Sequence, residues 1–235
     1  MQITANAAPH RPAGGEGPFS VRNGFALLAL VNLATILPLF FGGFSPAQPV
    51  KSPLRAVLLN VNTRLGDPHR TSRMLRQLNP DIIALEEVND LWIEELQEVL
   101  VHYPHAKASL RDDNFGIALY SKLPLSSAEI ITLGSAGLPS VHAAIENGTE
   151  QLQIVVTHPL PPTDARNWRA RNEQLAELAQ FVRQLKSPVV VLGDLNVTPW
   201  SPHFSRLLSD SGLQDSAHGF GVQPTWPTWL APMTS

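Results

Sequence analysis

The sequence predicts an α/β domain behind one apolar N-terminal span, and three observations predict it. Short apolar runs of strand length end in polar residues, segments of helical period separate several of them, and hydrophobic and charged residues make up 43% and 16% of the chain. The first two are the pattern of helices covering sheets, and the third is ordinary for a globular protein rather than a disordered one. The 235 residues suit one domain plus an appendage. The formal net charge of −3 offers no bulk positive excess of the kind that draws a protein to nucleic acid. With no cysteine, disulfides and thiolate metal sites are excluded. Proline is frequent, with 21 residues, and runs such as 159–162 predict shaped loops.

In chain order, residues 1–23 are polar and rich in Ala, Gly and Pro, which predicts a disordered tail. Residues 24–44 follow without a charge. Roughly 20 apolar residues at about 1.5 Å each cross a ~30 Å hydrocarbon core, so this stretch predicts a transmembrane helix. It exceeds the 7–15 residues usual for a signal peptide. A Pro-containing linker occupies 45–53, and the domain is expected over 54–235. Runs 54–61 and 81–88 predict buried strands. Between them Asp67-Pro68 has the form of a helix cap with proline at the first position, and Met74, Leu75 and Leu78 continue one face. Trp92, Leu96, Val99 and Leu100 repeat the helical spacing. Four more strands are expected at 115–120, 128–133, 141–146 and 152–157, some antiparallel because their connections are too short for helical crossovers. A long helix over 163–186 is expected to turn Trp168, Leu175, Leu178, Val182 and Leu185 inward. A strand at 189–192 and a short helix opened by Ser201-Pro202 and ending near Leu208 complete the pattern.

Four strand ends carry residues able to do chemistry. In VVVLGDLN, Asp194 and Asn196 lie two apart on an extended segment and so share a face. The carboxylate can orient a water, and the neutral carboxamide can donate to a phosphate oxygen without repelling it. In PDIIALEEV, Glu86 and Glu87 end a strand and face opposite sides. Glu87 is the expected ligand of a hard cation, with Glu86 on the other face. Asn60 and Asn62 share a face, and a side-chain carbonyl there could complete a metal's oxygen shell. His158, where a strand meets the Pro-rich loop, could hydrogen-bond or protonate a phosphate oxygen. Taken alone, each of these is also what a turn, cap or solvated acidic pair looks like.

Their order along the chain is what resembles a family. Asn60, the PDIIALEEV stretch from Pro80, NFGIALYSKLPL from Asn114, Thr157-His158 and Gly193-Asp194-Leu195-Asn196 resemble the endonuclease/exonuclease/phosphatase superfamily. Pancreatic deoxyribonuclease, apurinic endonucleases, sphingomyelinases and inositol polyphosphate phosphatases belong to it. The HPLPP, GDLNVTPWSP and PTWP features are similar to a bacterial branch with membrane helices ahead of the domain. The resemblance covers about residues 54–229 and implies a sandwich of two mixed β-sheets flanked by helices, deoxyribonuclease-like, with the site at one sheet edge. It implies a metal-dependent phosphoester hydrolase using Mg²⁺, with Mn²⁺ as the alternative. Glu87 and Asn60 would hold the metal, His158 would contact the scissile phosphate, Asp194 would orient the attacking water, and Asn196 would hold a phosphate oxygen. The substrate could be nucleic acid, a phospholipid head group or an inositol phosphate, and no protein partner is implied. Membrane attachment through 24–44 implies a bacterial inner-membrane location; the flanking charges leave the side of the domain open, and the resemblance to longer relatives with several membrane helices favours the extracytoplasmic side. The family's closing Asp-His motif has no counterpart here, since Asp215 and His218 precede the TWP stretch. The expectation is therefore a domain lacking its C-terminal catalytic segment, with a non-catalytic binding or scaffold protein on the same fold as the alternative function.

Overall fold

The protein is described by a computed structural model covering residues 21–37, 40–41, 53–147 and 150–221. Two compact units divide the chain, one of residues 48–215 and the other of 1–47 with 216–235. In the latter, helix α1 spans Val21–Ile36. It begins within the expected tail, whose residues 1–20 lie outside the described residues. Among the described residues no helix is long and apolar enough to cross a membrane. The span expected over 24–44 is only partly described: α1 has 16 residues, and 38, 39 and 42–44 lie outside the described residues. Most of the expected linker, 45–52, lies outside them too.

The larger unit holds two mixed four-stranded sheets with helices beside each, as the resemblance implied. The first sheet contains β1 (Ala56–Asn60), β2 (Ile82–Glu86), β3 (His105–Ser109) and β4 (Ile117–Ser121) in the order β1-β2-β4-β3. The second contains β5 (Leu125–Thr132), β6 (Pro139–Asn147), β7 (Glu150–Thr157) and β8 (Val189–Leu192) in chain order. Within each sheet one pair is parallel, β1 with β2 and β7 with β8. The remaining pairs are antiparallel, including β5-β6-β7, where short connections predicted it. Strand β3 was not anticipated, because HAKAS carries only alanines as apolar residues and its burial merely alternates.

Period-2 alternation distributes the strand residues over three cores. Ile83 and Leu85 of β2 face α2 (Pro68–Leu78), α3 (Asp90–Glu95) and α4 (Gln97–Leu100), where Leu75, Trp92, Leu96 and Val99 meet them. Ile82 and Ala84 face the other way, onto Val141, Ala143, Ile154 and Val156 between the sheets. Val155 packs outward on Leu175, Leu178 and Val182 of α5 (Ala165–Gln184) and Leu207 of α6 (Pro202–Ser211).

Helix ends follow local chemistry. The Asp67 side chain accepts from Arg70 N at 3.0 Å with Pro68 at the first turn, as expected. Asn79, left-handed at φ 42°, ends α2. Ser201 caps α6, which runs to Ser211 rather than Leu208 because Gly212 supplies the left-handed stop at φ 80°. One inward assignment is corrected: Trp168 is 45% exposed, set edge-on to His203 at 5.3 Å.

Candidate active site

Parallel strands end together, and here two parallel pairs end at one edge. In the first sheet Asn60 lies opposite Glu86, and in the second Val156 lies opposite Leu192, one residue short of Thr157 and Gly193. Asn60 closes β1, and the loops beyond the other strand ends carry the remaining four residues expected from the sequence, Glu87, His158, Asp194 and Asn196. Asn60 Nδ2 donates to Glu87 Oε1 at 2.8 Å, and Asn60 Oδ1 accepts from Asn62 N at 3.1 Å. His158 is buried, within electrostatic reach of both Asp194 and Glu87. Asp194 Oδ1 accepts from Asn196 N at 3.1 Å, and Asn196 Nδ2 donates to Pro159 O, next to His158, at 2.9 Å.

Backbone strain concentrates here. Of the non-glycine residues with positive φ among the described residues, Asn62, Glu87 and Asn196 lie on these loops, Asn114 on the neighbouring loop before β4, and the remaining one is the α2 cap Asn79. Left-handed backbone is costly for a residue with a Cβ, least so for Asn, and it redirects a side chain that strand alternation would place elsewhere. That corrects two readings. Asn62 does not share a strand face with Asn60; it lies past the strand, and its Oδ1 accepts from Leu65 N at 3.2 Å. Glu86 is not turned away from the site. Alternation carries it, after Ile82 and Ala84, to the face between the sheets. There its fully buried carboxyl accepts from Asp194 N at 3.0 and 3.3 Å. Glu87 escapes the alternation because its φ of 56° ends the strand, so both carboxyls reach the same edge.

Contacts from neighbouring loops hold this turn. Thr63 Oγ1 donates to Glu87 O, and Trp92 Nε1 donates to Thr63 O at 3.2 Å. Val88 N donates to Gly116 O and Arg111 N to Val88 O, both at 3.3 Å. Gly116 must lack a side chain, since a Cβ there would stand 1.7 Å from Val88 O. Phe115 in that loop packs on the His158 ring, 5.5 Å between centroids.

Electrostatics sort the groups by burial. Desolvation pushes the Glu86 carboxyl well above the ordinary carboxylate range, and the negative charges of Asp194 and Glu87 add to this while the Asp194 N–H opposes it. Burial lowers the His158 pKa, and the same two carboxylates partly counter it. His158 Nδ1 is buried with no hydrogen-bond partner among the described residues. A neutral imidazole keeps one N–H, which can donate to a phosphate oxygen.

Among the described residues no three His, Asp or Glu side chains are grouped to hold a metal ion. Mg²⁺ takes one or two carboxylates and keeps several waters. Glu87, partly buried and backed by Asn60, with the exposed Asp194 carboxylate at the same edge, fits that demand.

Sequence reasoning missed Arg171 and Gln174 of α5. Both are buried. Arg171 Nη1 donates to Asn196 O at 2.6 Å, and Gln174 Nε2 donates to Thr157 Oγ1 at 3.0 Å. The available signal was their place on the inward stripe with Leu175, Leu178 and Val182, where a charged or amide side chain invites explanation.

Comparison with known proteins agrees with this architecture. Sphingomyelinase C from Streptomyces griseocarneus superposes with a TM-score of 0.56 at 18% identity, covering 70% of this chain and 72% of that one. A mutant of beta toxin from Staphylococcus aureus with bound magnesium ions gives 0.55 at 21% identity, covering 70% and 72%. The human Nocturnin catalytic domain with bound sulfate anion gives 0.56 at 21% identity, covering 74% and 75%. At these identities the likeness shows the fold. No curated protein matches the sequence. Residues 57–234 match the Endonuclease/Exonuclease/phosphatase family. The chain belongs to that family, and by that resemblance it is a phosphoester hydrolase.

Proposed function

We propose that the protein hydrolyses a phosphodiester or phosphomonoester by in-line attack of an oriented water, with Mg²⁺ as cofactor. The observation that carries this reading is the meeting of Asn60, Glu87, His158, Asp194 and Asn196 at the ends of two parallel strand pairs. Asp194, with one oxygen held by Asn196 N, keeps the other to orient water. Asn196 Nδ2 spends one hydrogen on Pro159 O and has a second for a phosphoryl oxygen. His158, kept neutral by burial, donates to another. A bound divalent cation would supply charge stabilisation at the phosphoryl and leaving oxygens. Glu87 would hold it and Asn60 would fix the direction of the Glu87 carboxylate.

A net charge of −3 and three acidic groups at the site favour a compact phosphoester or head group over a long nucleic acid. The charge-free stretch 24–44 supports membrane attachment. Hydrolysis of bis-p-nitrophenyl phosphate with and without Mg²⁺, wild type against Asp194→Ala, tests the reading. Metal-dependent turnover lost in the variant is expected. Equal rates in both proteins would defeat it, and Mg²⁺-dependent phosphate binding without turnover would mark a binding protein instead.

A further inference from the structure

Helix α5 supports the second sheet through Leu175, Leu178 and Val182, and the same stripe continues toward the site as Arg171. An apolar residue would complete that stripe. A guanidinium does not, and it stays charged at any physiological pH. Arg171 is buried, its Nε has no hydrogen-bond partner, and it forms no ion pair among the described residues. A buried charge without a carboxylate is expensive and needs a compensating role.

What Arg171 touches supplies one. Its Nη1 meets the carbonyl of Asn196, whose backbone is held left-handed at φ 49°. The same residue donates its N–H to Asp194 and its carboxamide to Pro159 O. Three bonds thus fix one strained residue, and the bond from Arg171 is the shortest and the charge-assisted one. Released from it, the 196–197 peptide could relax toward the β or right-handed region and swing the carboxamide away from Pro159. The Asp194 carboxylate would lose its N–H partner in the same movement.

We infer that Arg171 is a positioning residue: its guanidinium, clamped on the Asn196 carbonyl, sets the direction of the Asn196 carboxamide and of the Asp194 carboxylate. The geometric part stands on the contacts alone, and its consequence for rate rests on the hydrolase reading.

The test uses the full chain in detergent, Arg171→Met, which keeps length and removes charge, and Arg171→Lys, which keeps charge and loses the fork. The first readout is the Asn196 side-chain amide pair in nitrogen-15 NMR, assigned with Asn196→Ala, with the Trp92 indole as the fold control. In Arg171→Met that pair should shift and lose protection from exchange while the Trp92 signal stays, and Arg171→Lys should fall between. Should Arg171→Met lose the Trp92 signal, the pair in Arg171→Lys decides. The second readout is turnover of bis-p-nitrophenyl phosphate with Mg²⁺. Misplacement of this kind should lower kcat on the order of 10- to 10²-fold. KM should stay within about threefold, as when an interaction made only in the transition state is lost. Arg171→Met/Asn196→Ala should be no slower than Asn196→Ala. An unmoved Asn196 pair, or the same fractional loss of rate in both backgrounds, overturns the inference. A wild type that turns over nothing, while the pair still moves, refutes the hydrolase reading and leaves the clamp standing.

Discussion

Gly193 offers the sharpest perturbation of this site. It lies between β8 and Asp194, and a Cβ placed on it would stand 2.0 Å from Thr157 O and 3.2 Å from Glu86 Oε1. Real Cβ contacts do not fall below 3.0 Å, so in Gly193→Ala the ends of β7 and β8 must part by about 1 Å. Neither neighbour yields easily. Thr157 O is backbone, and Glu86 is fully buried and bonded to Asp194 N. Overpacking of this kind costs about 1–3 kcal/mol. For a domain of this size each kcal/mol lowers Tm by about 2–4 °C, so a loss of roughly 2–12 °C is expected. The movement separates His158 from Asp194, and a 1 Å misplacement of reacting groups costs on the order of 10²-fold in rate. Thermal unfolding by circular dichroism and Mg²⁺-dependent phosphodiester hydrolysis measure the two effects. Gly137→Ala is the control: open space surrounds that position, but its φ of 68° should cost about 1 kcal/mol through backbone strain alone. It should leave the rate unchanged. If Gly193→Ala retained wild-type Tm and a rate within about threefold, the close approach of the two strand ends would not be what positions Asp194.

Two further outcomes test the scaffold. Burial, with the negative charge of Asp81 beside it, raises the Tyr103 pKa above its ordinary 10.0, while the phenol donates to Pro80 O at 2.8 Å. The folded state therefore holds this proton more tightly than the unfolded chain, so the stabilisation is complete below pH 10.0 and is lost as pH rises through the folded value. Urea titrations from pH 8 to 11.5 should show that decline in the wild type and a flatter one in Tyr103→Phe, which should also cost about 1 kcal/mol at neutral pH for the lost hydrogen bond. Asp67→Ala removes the side-chain acceptor of Arg70 N at the start of α2 and should destabilise the domain, read as a lower urea midpoint with unchanged slope.

Much of this protein was legible in its sequence because local rules wrote it there. Continuous apolar runs of strand length marked β1, β2, β7 and β8, and Asp67 and Ser201 marked helix starts, since a cap acts on the backbone of its own first turn. Asn60, Glu87, His158, Asp194 and Asn196 could be named because each closes or follows a strand in an order that resembles a family, and parallel strands deliver their ends to one edge. The part that local rules could not reach depends on what lies across a gap far along the chain. Glu86 joins the site because its partner, Asp194 N, belongs to the other sheet. Glu87 joins it through a left-handed turn that alternation does not foresee. Arg171 is buried although charged, because a carbonyl 25 residues along the chain accepts its Nη1, while Trp168 on the same helix is 45% exposed. Periodicity states which face of an element is buried, and only the packed structure states what that face meets.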